Sequence, residues 1–118
     1  MTTVIHFKSD KALNFLLKNG ICYTIRPFRR KEGKAWVRSK GRKVAIVNVE
    51  YVGEVIQTLS DEKWWVCNDA FAIAKLKKFV KDAGVTSVEE WLNEVKKLNR
   101  GKLPENLYLY RVTLLEVV

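Results

Sequence analysis

The sequence predicts an α+β protein: a small sheet that is strongly curved or closed into a barrel, with flanking helices. Three observations carry that expectation. The chain has 118 residues and is 47% hydrophobic. That suits a single domain over residues 1–118 and a core that removes roughly two thirds of the extended-chain surface. Strand-like segments cluster in the middle and return at the end, with helical periods on either side of the cluster. The long β-rich stretch 35–59 carries an isolated glycine, Gly53, where a bulge would let a strand bend as a barrel requires.

The elements follow in order. "TTVIHFK" is β-branched and aromatic and reads as a short strand. In "DKALNFLLKNG", Ala12, Leu13, Leu16 and Leu17 share a face at helical spacing; Ser9 or Asp10 caps the start and Gly20 ends the helix. "ICYTIRPF" is a strand that Pro27 either ends or confines to an edge, since proline cannot donate to a ladder. "RRKEGK" is polar and turn-like. Lys40-Gly41 suits a two-residue hairpin turn between 35–39 and 42–52.

The period changes in residues 60–84. Ala70, Phe71, Ile73, Ala74, Leu76, Phe79 and Val80 predict a helix with a wide apolar face, stopped at Gly84, with Trp64-Trp65 at a strand-to-helix junction. "TSVEEWLNEVKKLNRG" is the clearest helix. Ser87 and Glu90 have capping-box spacing, Val88, Trp91, Leu92, Val95 and Leu98 form the apolar stripe, and Gly101 and Pro104 end it. "NLYLYRVTLLEVV" closes the chain as a strand. The expected order is β, α, β, β, β, α, α, β, with consecutive antiparallel strands in the middle and neither repeat nor linker.

Charge is distributed unevenly. Lys plus Arg number 22 against 13 acids, a formal net charge of +9. Nine of the 22 fall between residues 26 and 43: Arg26, Arg29, Arg30, Lys31, Lys34, Arg38, Lys40, Arg42 and Lys43, opposed within residues 19–50 only by Glu32 and Glu50. Cations mounted on strands and short turns attract a polyanion and hold it in one register; the alternative is a solvated lysine-rich surface. Of the neighbouring tryptophans Trp64 and Trp65, one suits the core and the other, beside Lys63, a stacking platform for an unpaired base. Trp64 is the candidate; the alternative is that all four tryptophans pack in the core.

Enzyme signatures are missing. There is no Gly-rich phosphate loop, no GxSxG elbow and no HExxH. His6, the only histidine, alternates with Ile5 and Phe7 in an apolar strand and reads as structural. A zinc site would need both cysteines, His6 and a carboxylate from scattered positions, so neither metal nor cofactor is expected. Cys22 would be a nucleophile only with a depressed pKa; Cys22 and Cys67 read as reduced and buried, with a single bridge as the alternative. Glu54, Asp61, Glu62, Glu89 and Glu90 could do acid–base work, but Glu89 and Glu90 suit the first turn of a helix. "MTTVIHFKSD" has no signal-peptide core, and no run approaches the roughly 18 apolar residues of a membrane span. A cytoplasmic monomer, away from membranes, is expected.

Three pieces resemble an ASCH domain, the activating-signal-cointegrator homology relative of the RNA-binding PUA domain. "YTIRPFRRKEGK" is similar to the family's threonine-containing TxR strand and polar loop, "VAIVNVEYVGEVI" to its central strand, and "AGVTSVEEWLNEVKKL" with "LYLYRVTLLEV" to its last helix and closing strand. The resemblance implies a PUA-like barrel and an RNA-related role, with the cleft beside the TxR strand as binding site; Thr24 and Arg26 match that motif. Some bacterial members are acetylcytidine amidohydrolases that use a lysine three residues before the threonine, the threonine itself and a later glutamate. Here Ile21, or Cys22 in a shifted alignment, stands at the lysine, and neither is an amine base. The expectation is therefore an RNA-binding module. A nucleoside-modification hydrolase and a basic protein-interaction module are the alternatives.

Overall fold

The computed structural model describes residues 3–7, 10–57, 63–68 and 71–118. One strand organises it. β4 (Arg42–Gln57) is 16 residues long and serves two successive neighbourhoods. Its first part lies between β3 (Gly33–Ser39) and β7 (Tyr108–Val117), antiparallel to both. Its last residues, from Glu54, pair instead with β5 (Trp64–Asn68), which pairs in turn with β6 (Phe71–Lys75). β1 (Thr3–His6) adds to β3 in parallel, and β2 (Ile21–Arg26) adds to β7 antiparallel. Among the described residues the result is α+β, with a seven-stranded mixed sheet that does not close and two α-helices, α1 (Asp10–Asn19) and α2 (Val88–Leu98).

The change of neighbour happens at the expected glycine. The β4–β7 register shifts between Tyr51 and Gly53. A Cβ on Gly53 would stand 2.6 Å from the Cys67 carbonyl oxygen and 2.8 Å from a Val66 methyl. Only glycine lets β5 approach so closely at the bend. The hairpin also forms as expected: Lys40 and Gly41 both have positive φ, 52° and 79°, the pattern of a type I′ turn that matches strand twist.

Two cores result. Before the bend, Ala45, Val47 and Val49 of β4 join Ile5, Cys22, Val37 and Val112 in a cluster covered by Leu13 and Leu16 of α1. After it, Val55 joins Ile25, Val66, Leu109, Trp91 and Leu92 in a second cluster under α2. β2 contributes to both because its side chains alternate: Cys22 faces the first cluster, Tyr23 and Ile25 the second.

α2 begins as expected. Ser87 Oγ accepts from the Glu90 N–H at 3.0 Å. Glu90 turns one residue further out than a standard capping box, accepting from the Thr86 N–H at 2.9 Å and from its hydroxyl. Ser9, one of the two residues expected to cap α1, lies outside the described residues, as does part of the segment 60–70.

The helix expected from Ala70 onward does not form over the described residues 71–83. Phe71–Lys75 is strand β6, followed by two short 3-10 turns, Leu76–Phe79 and Lys81–Ala83. Trp64 and Trp65 lie inside β5, not at a junction with a helix. The cause is tertiary. β5 leaves an edge of unpaired backbone groups, and "FAIAK", which is compatible with either period, satisfies them as a strand. The helical spacing of Leu76, Val80 and Ala83 survives in the turns, where all three are buried. β2 and β3 are not paired with each other either; they lie on opposite sides of β4. Among the described residues no helix is long and apolar enough to cross a membrane.

Candidate functional site

β2 is an edge strand, and a cleft of about 280 Å³ runs along it. Its floor is the run Tyr23 to Phe28, and its walls are Lys11 and Ala12 of α1 and Trp91, Glu94, Val95 and Leu98 of α2. The Lys11 ammonium and the Glu90 carboxylate form an ion pair that ties the two helices together beside it. Contact with Lys11, and then with Thr86, pulls the Glu90 carboxyl down to about 2, and Glu90 in turn raises the Lys11 pKa. Phe28 and Leu98 are exposed at the rim, Phe28 to 77%.

Thr24 and Arg26 share a face, as period-2 spacing predicts. Thr24 is buried, and its hydroxyl accepts from Arg26 Nε at 3.4 Å. Arg26 Nη1 donates to the His6 carbonyl at 2.8 Å, and its guanidinium carbon lies 5.3 Å from the centre of the Phe7 ring. No carboxylate answers it among the described residues. In particular Glu54, whose pairing with Arg26 would have explained the residue as a plain strand-to-strand ion pair, takes no part. Burial, and then the neighbouring Arg30 charge, pull the Arg26 pKa down to about 10. Arg26 is still protonated at neutral pH, so an uncompensated cation stands at the floor of the cleft.

Arg30 repeats the arrangement four residues on. Its Nη2 donates to the Val4 carbonyl at 3.0 Å, while its Nε is buried without an acceptor among the described residues. Burial lowers its pKa as well. Its backbone is pinned from beneath: Tyr110, fully buried, accepts from the Arg30 N–H at 2.7 Å and donates to the Arg30 carbonyl at 3.3 Å. Two guanidinium groups from β2 and the following loop thus reach alternate carbonyls of β1, the opposite edge of the sheet. They bridge the seam that backbone pairing leaves open.

The other cations lie further along. Arg29 is exposed and rests on aromatic faces, 3.9 Å from the centre of the Tyr51 ring and 6.0 Å from that of Tyr108. Lys31, Lys34, Arg38, Lys40, Arg42 and Lys43 are exposed, with the Lys43 ammonium 4.4 Å from the Trp36 ring centre. The register connects them to the cleft: Arg26 bonds to His6, His6 is the partner of Arg38, and Arg38 the partner of Lys43. Trp64 stands apart from this track, half-buried against the second core. Trp65 is half-buried too, with the Lys75 ammonium 5.4 Å from its ring centre.

Cys22 is fully buried and its thiol is pushed up to about 12 by burial, against the pull of Arg26. Such a thiol is no nucleophile at neutral pH. Both cysteines are free, and Cys67 is half-buried rather than buried as expected. No cluster of metal-ligating side chains occurs among the described residues. Sequence reasoning missed Tyr51, Tyr108 and Tyr110 as neighbours of this site. The alternation of Tyr108 and Tyr110 in "LYLYR" was a usable signal, because period 2 puts both on one face. Comparison with protein-family models, with curated proteins and with solved structures found no match.

Proposed function

We propose that the protein is a cytoplasmic RNA-binding module of the PUA-like kind that the ASCH resemblance implies. RNA would lie in the cleft beside residues 22–27 and along the loop and hairpin 28–43. One observation carries this reading: among the described residues, none of the nine cations between Arg26 and Lys43 forms an ion pair with a carboxylate, and the β1–β3–β4 register joins the cleft to the hairpin. Arg26 uses two of its five guanidinium N–H groups within the protein, which leaves donors for a phosphate or a base edge. Thr24 lines the same cleft. The guanidinium-bridged seam fits a PUA-like barrel that side chains close where backbone pairing does not.

The hydrolase alternative lacks support from the cleft's own lysine. Lys11 lines the cleft, but Glu90 favours its charged form, the wrong state for a general base. The test is binding of RNA oligonucleotides across a salt series. If three to five phosphates are neutralised, log affinity falls against log salt with a slope of about −2 to −5. Binding that does not respond to salt overturns the reading, and turnover of acetylcytidine abolished by Thr24→Ala would replace it with the hydrolase.

A further inference from the structure

Three tyrosines meet beside the basic loop. Tyr51 of β4 and Tyr110 of β7 are register partners, and Tyr108 lies two residues from Tyr110 on the same face. The Tyr51 ring centre lies 5.5 Å from that of Tyr110 and 6.4 Å from that of Tyr108. Tyr110 is fully buried with its hydroxyl bound to the Arg30 backbone, so it serves as the foundation. Tyr51 and Tyr108 are half-buried. The loop over them is fixed from two sides: Tyr110 holds Arg30, and the Glu32 carboxylate accepts from the Tyr51 N–H at 2.7 Å.

Arg29 covers these rings. It is exposed and has no salt bridge among the described residues; the tyrosine faces are what hold it. A guanidinium 3.9 Å from a ring centre occupies the layer that a stacked base would fill. An exposed cation–π contact is weak, so the cover comes off at little cost.

We propose that Tyr51 and Tyr108 form a stacking platform for one unpaired nucleobase, and that Arg29 is its placeholder, moving onto the base or the adjoining phosphate when RNA binds. The proposal rests on the RNA-binding reading and deepens it, because it makes the ligand single-stranded: bases inside a duplex offer no free face. The surroundings favour a base over a small cation such as an alkylammonium group. Arg26 is the register partner of Tyr108, and Arg30 and Lys31 follow Arg29 in the chain. Glu32 is already engaged by the Tyr51 N–H. Glu54, the register partner of Tyr108, is the carboxylate left nearby. Positive neighbours repel a free cation and hold the phosphates that flank a stacked base. The same register places the platform next to the cleft, so a single strand could pass from one to the other.

The experiment is photocrosslinking of the wild-type protein to a short single-stranded oligouridine carrying 4-thiouridine, with adducts mapped by peptide mass spectrometry and binding measured on the same oligonucleotide. Adducts on Tyr51 or Tyr108 are expected, and Arg29→Ala should retain them. Binding with adducts confined to other residues overturns the platform and leaves the RNA-binding reading intact. No binding even at low salt overturns both. A second measurement compares strands: Tyr51→Leu, which keeps apolar bulk over the core, should lower single-strand affinity about tenfold and leave residual duplex affinity unchanged. Equal loss on both strands overturns the platform. Chemical-shift changes confined to Tyr51 and Tyr108 on titration with tetramethylammonium, without any base adduct, would instead define a cation cage and also overturn it.

Discussion

Arg26 and Arg30 share one short stretch of chain with Arg38, Lys40, Arg42 and Lys43, and the two groups have different surroundings. The hairpin cations are exposed to solvent on β3, β4 and the turn between them. The seam arginines are half-buried, donate to the His6 and Val4 carbonyls and have pKa values lowered by burial. Carbonyl acceptors satisfy a guanidinium's hydrogen bonds without cancelling its charge. A carboxylate in the same place would have done both. The seam therefore gains cohesion while staying electropositive, and the two groups should separate in experiment: the seam should govern stability, the hairpin long-range attraction.

The largest expected effect is on the seam. Replacing Arg26 and Arg30 together by Ala removes two charge-assisted hydrogen bonds across the sheet edges and should cost about 3 kcal/mol of folding stability, read from urea unfolding. A double variant as stable as the wild type would erase the distinction. The reverse pattern is expected at the hairpin. Changing Arg38, Lys40, Arg42 and Lys43 to Ala should move stability by no more than about 0.5 kcal/mol. The salt dependence of RNA binding should become shallower by about one unit of slope for each phosphate that the variant no longer neutralises. An unchanged slope would mean that the hairpin charge is only solvated surface.

Arg26→Lys sharpens the comparison, since it keeps the charge and loses the planar fork. About 1 kcal/mol of stability should be lost with the salt slope intact. A parallel fall in both would mean that the two roles of Arg26 cannot be separated.

The smallest effect is expected at the exposed Lys11–Glu90 pair, the contrasting case in which a cation meets a carboxylate. The folded-state Glu90 pKa of about 2 lies below its ordinary 4.5. The pair's contribution is therefore complete above about pH 4.5 and disappears as pH falls toward 2. Tm should decline over that window, and Glu90→Gln should flatten part of the decline. A wild-type Tm insensitive to acid down to pH 2 would remove the pair as a clasp on the cleft.

What could be read in advance was local. Lys40-Gly41 makes its turn because two adjacent residues must take positive φ. Gly53 makes its bend because a lone glycine in a strand marks a bulge or a close approach. Ser87 caps α2 through a hydroxyl that reaches a neighbouring N–H. Thr24 and Arg26 share a face because side chains alternate. At the turn, the cap and the shared face the relevant atoms lie within a few residues of one another, and covalent geometry decides the outcome; Gly53 marks its site locally, but what it admits is the distant β5 backbone at Cys67.

Residues 71–83 were misread for the converse reason. Their apolar spacing is compatible with both periods, and the choice was made by the free edges of β4 and β5, which needed hydrogen-bond partners. The candidate site divides in the same way. Its basic track and the strand that carries Thr24 and Arg26 are visible in the order of residues. The contacts from Arg26 to His6, Arg30 to Val4, Arg29 to Tyr51 and Lys11 to Glu90 join residues 20, 26, 22 and 79 positions apart. Residue order sets which cations are present and which side chains share a strand face. Which of those cations become structural, and which remain free to meet a ligand, depends on where the chain's two sheet edges come to lie, because the energy of a charged group is set by the acceptors and rings around it rather than by its neighbours in the chain.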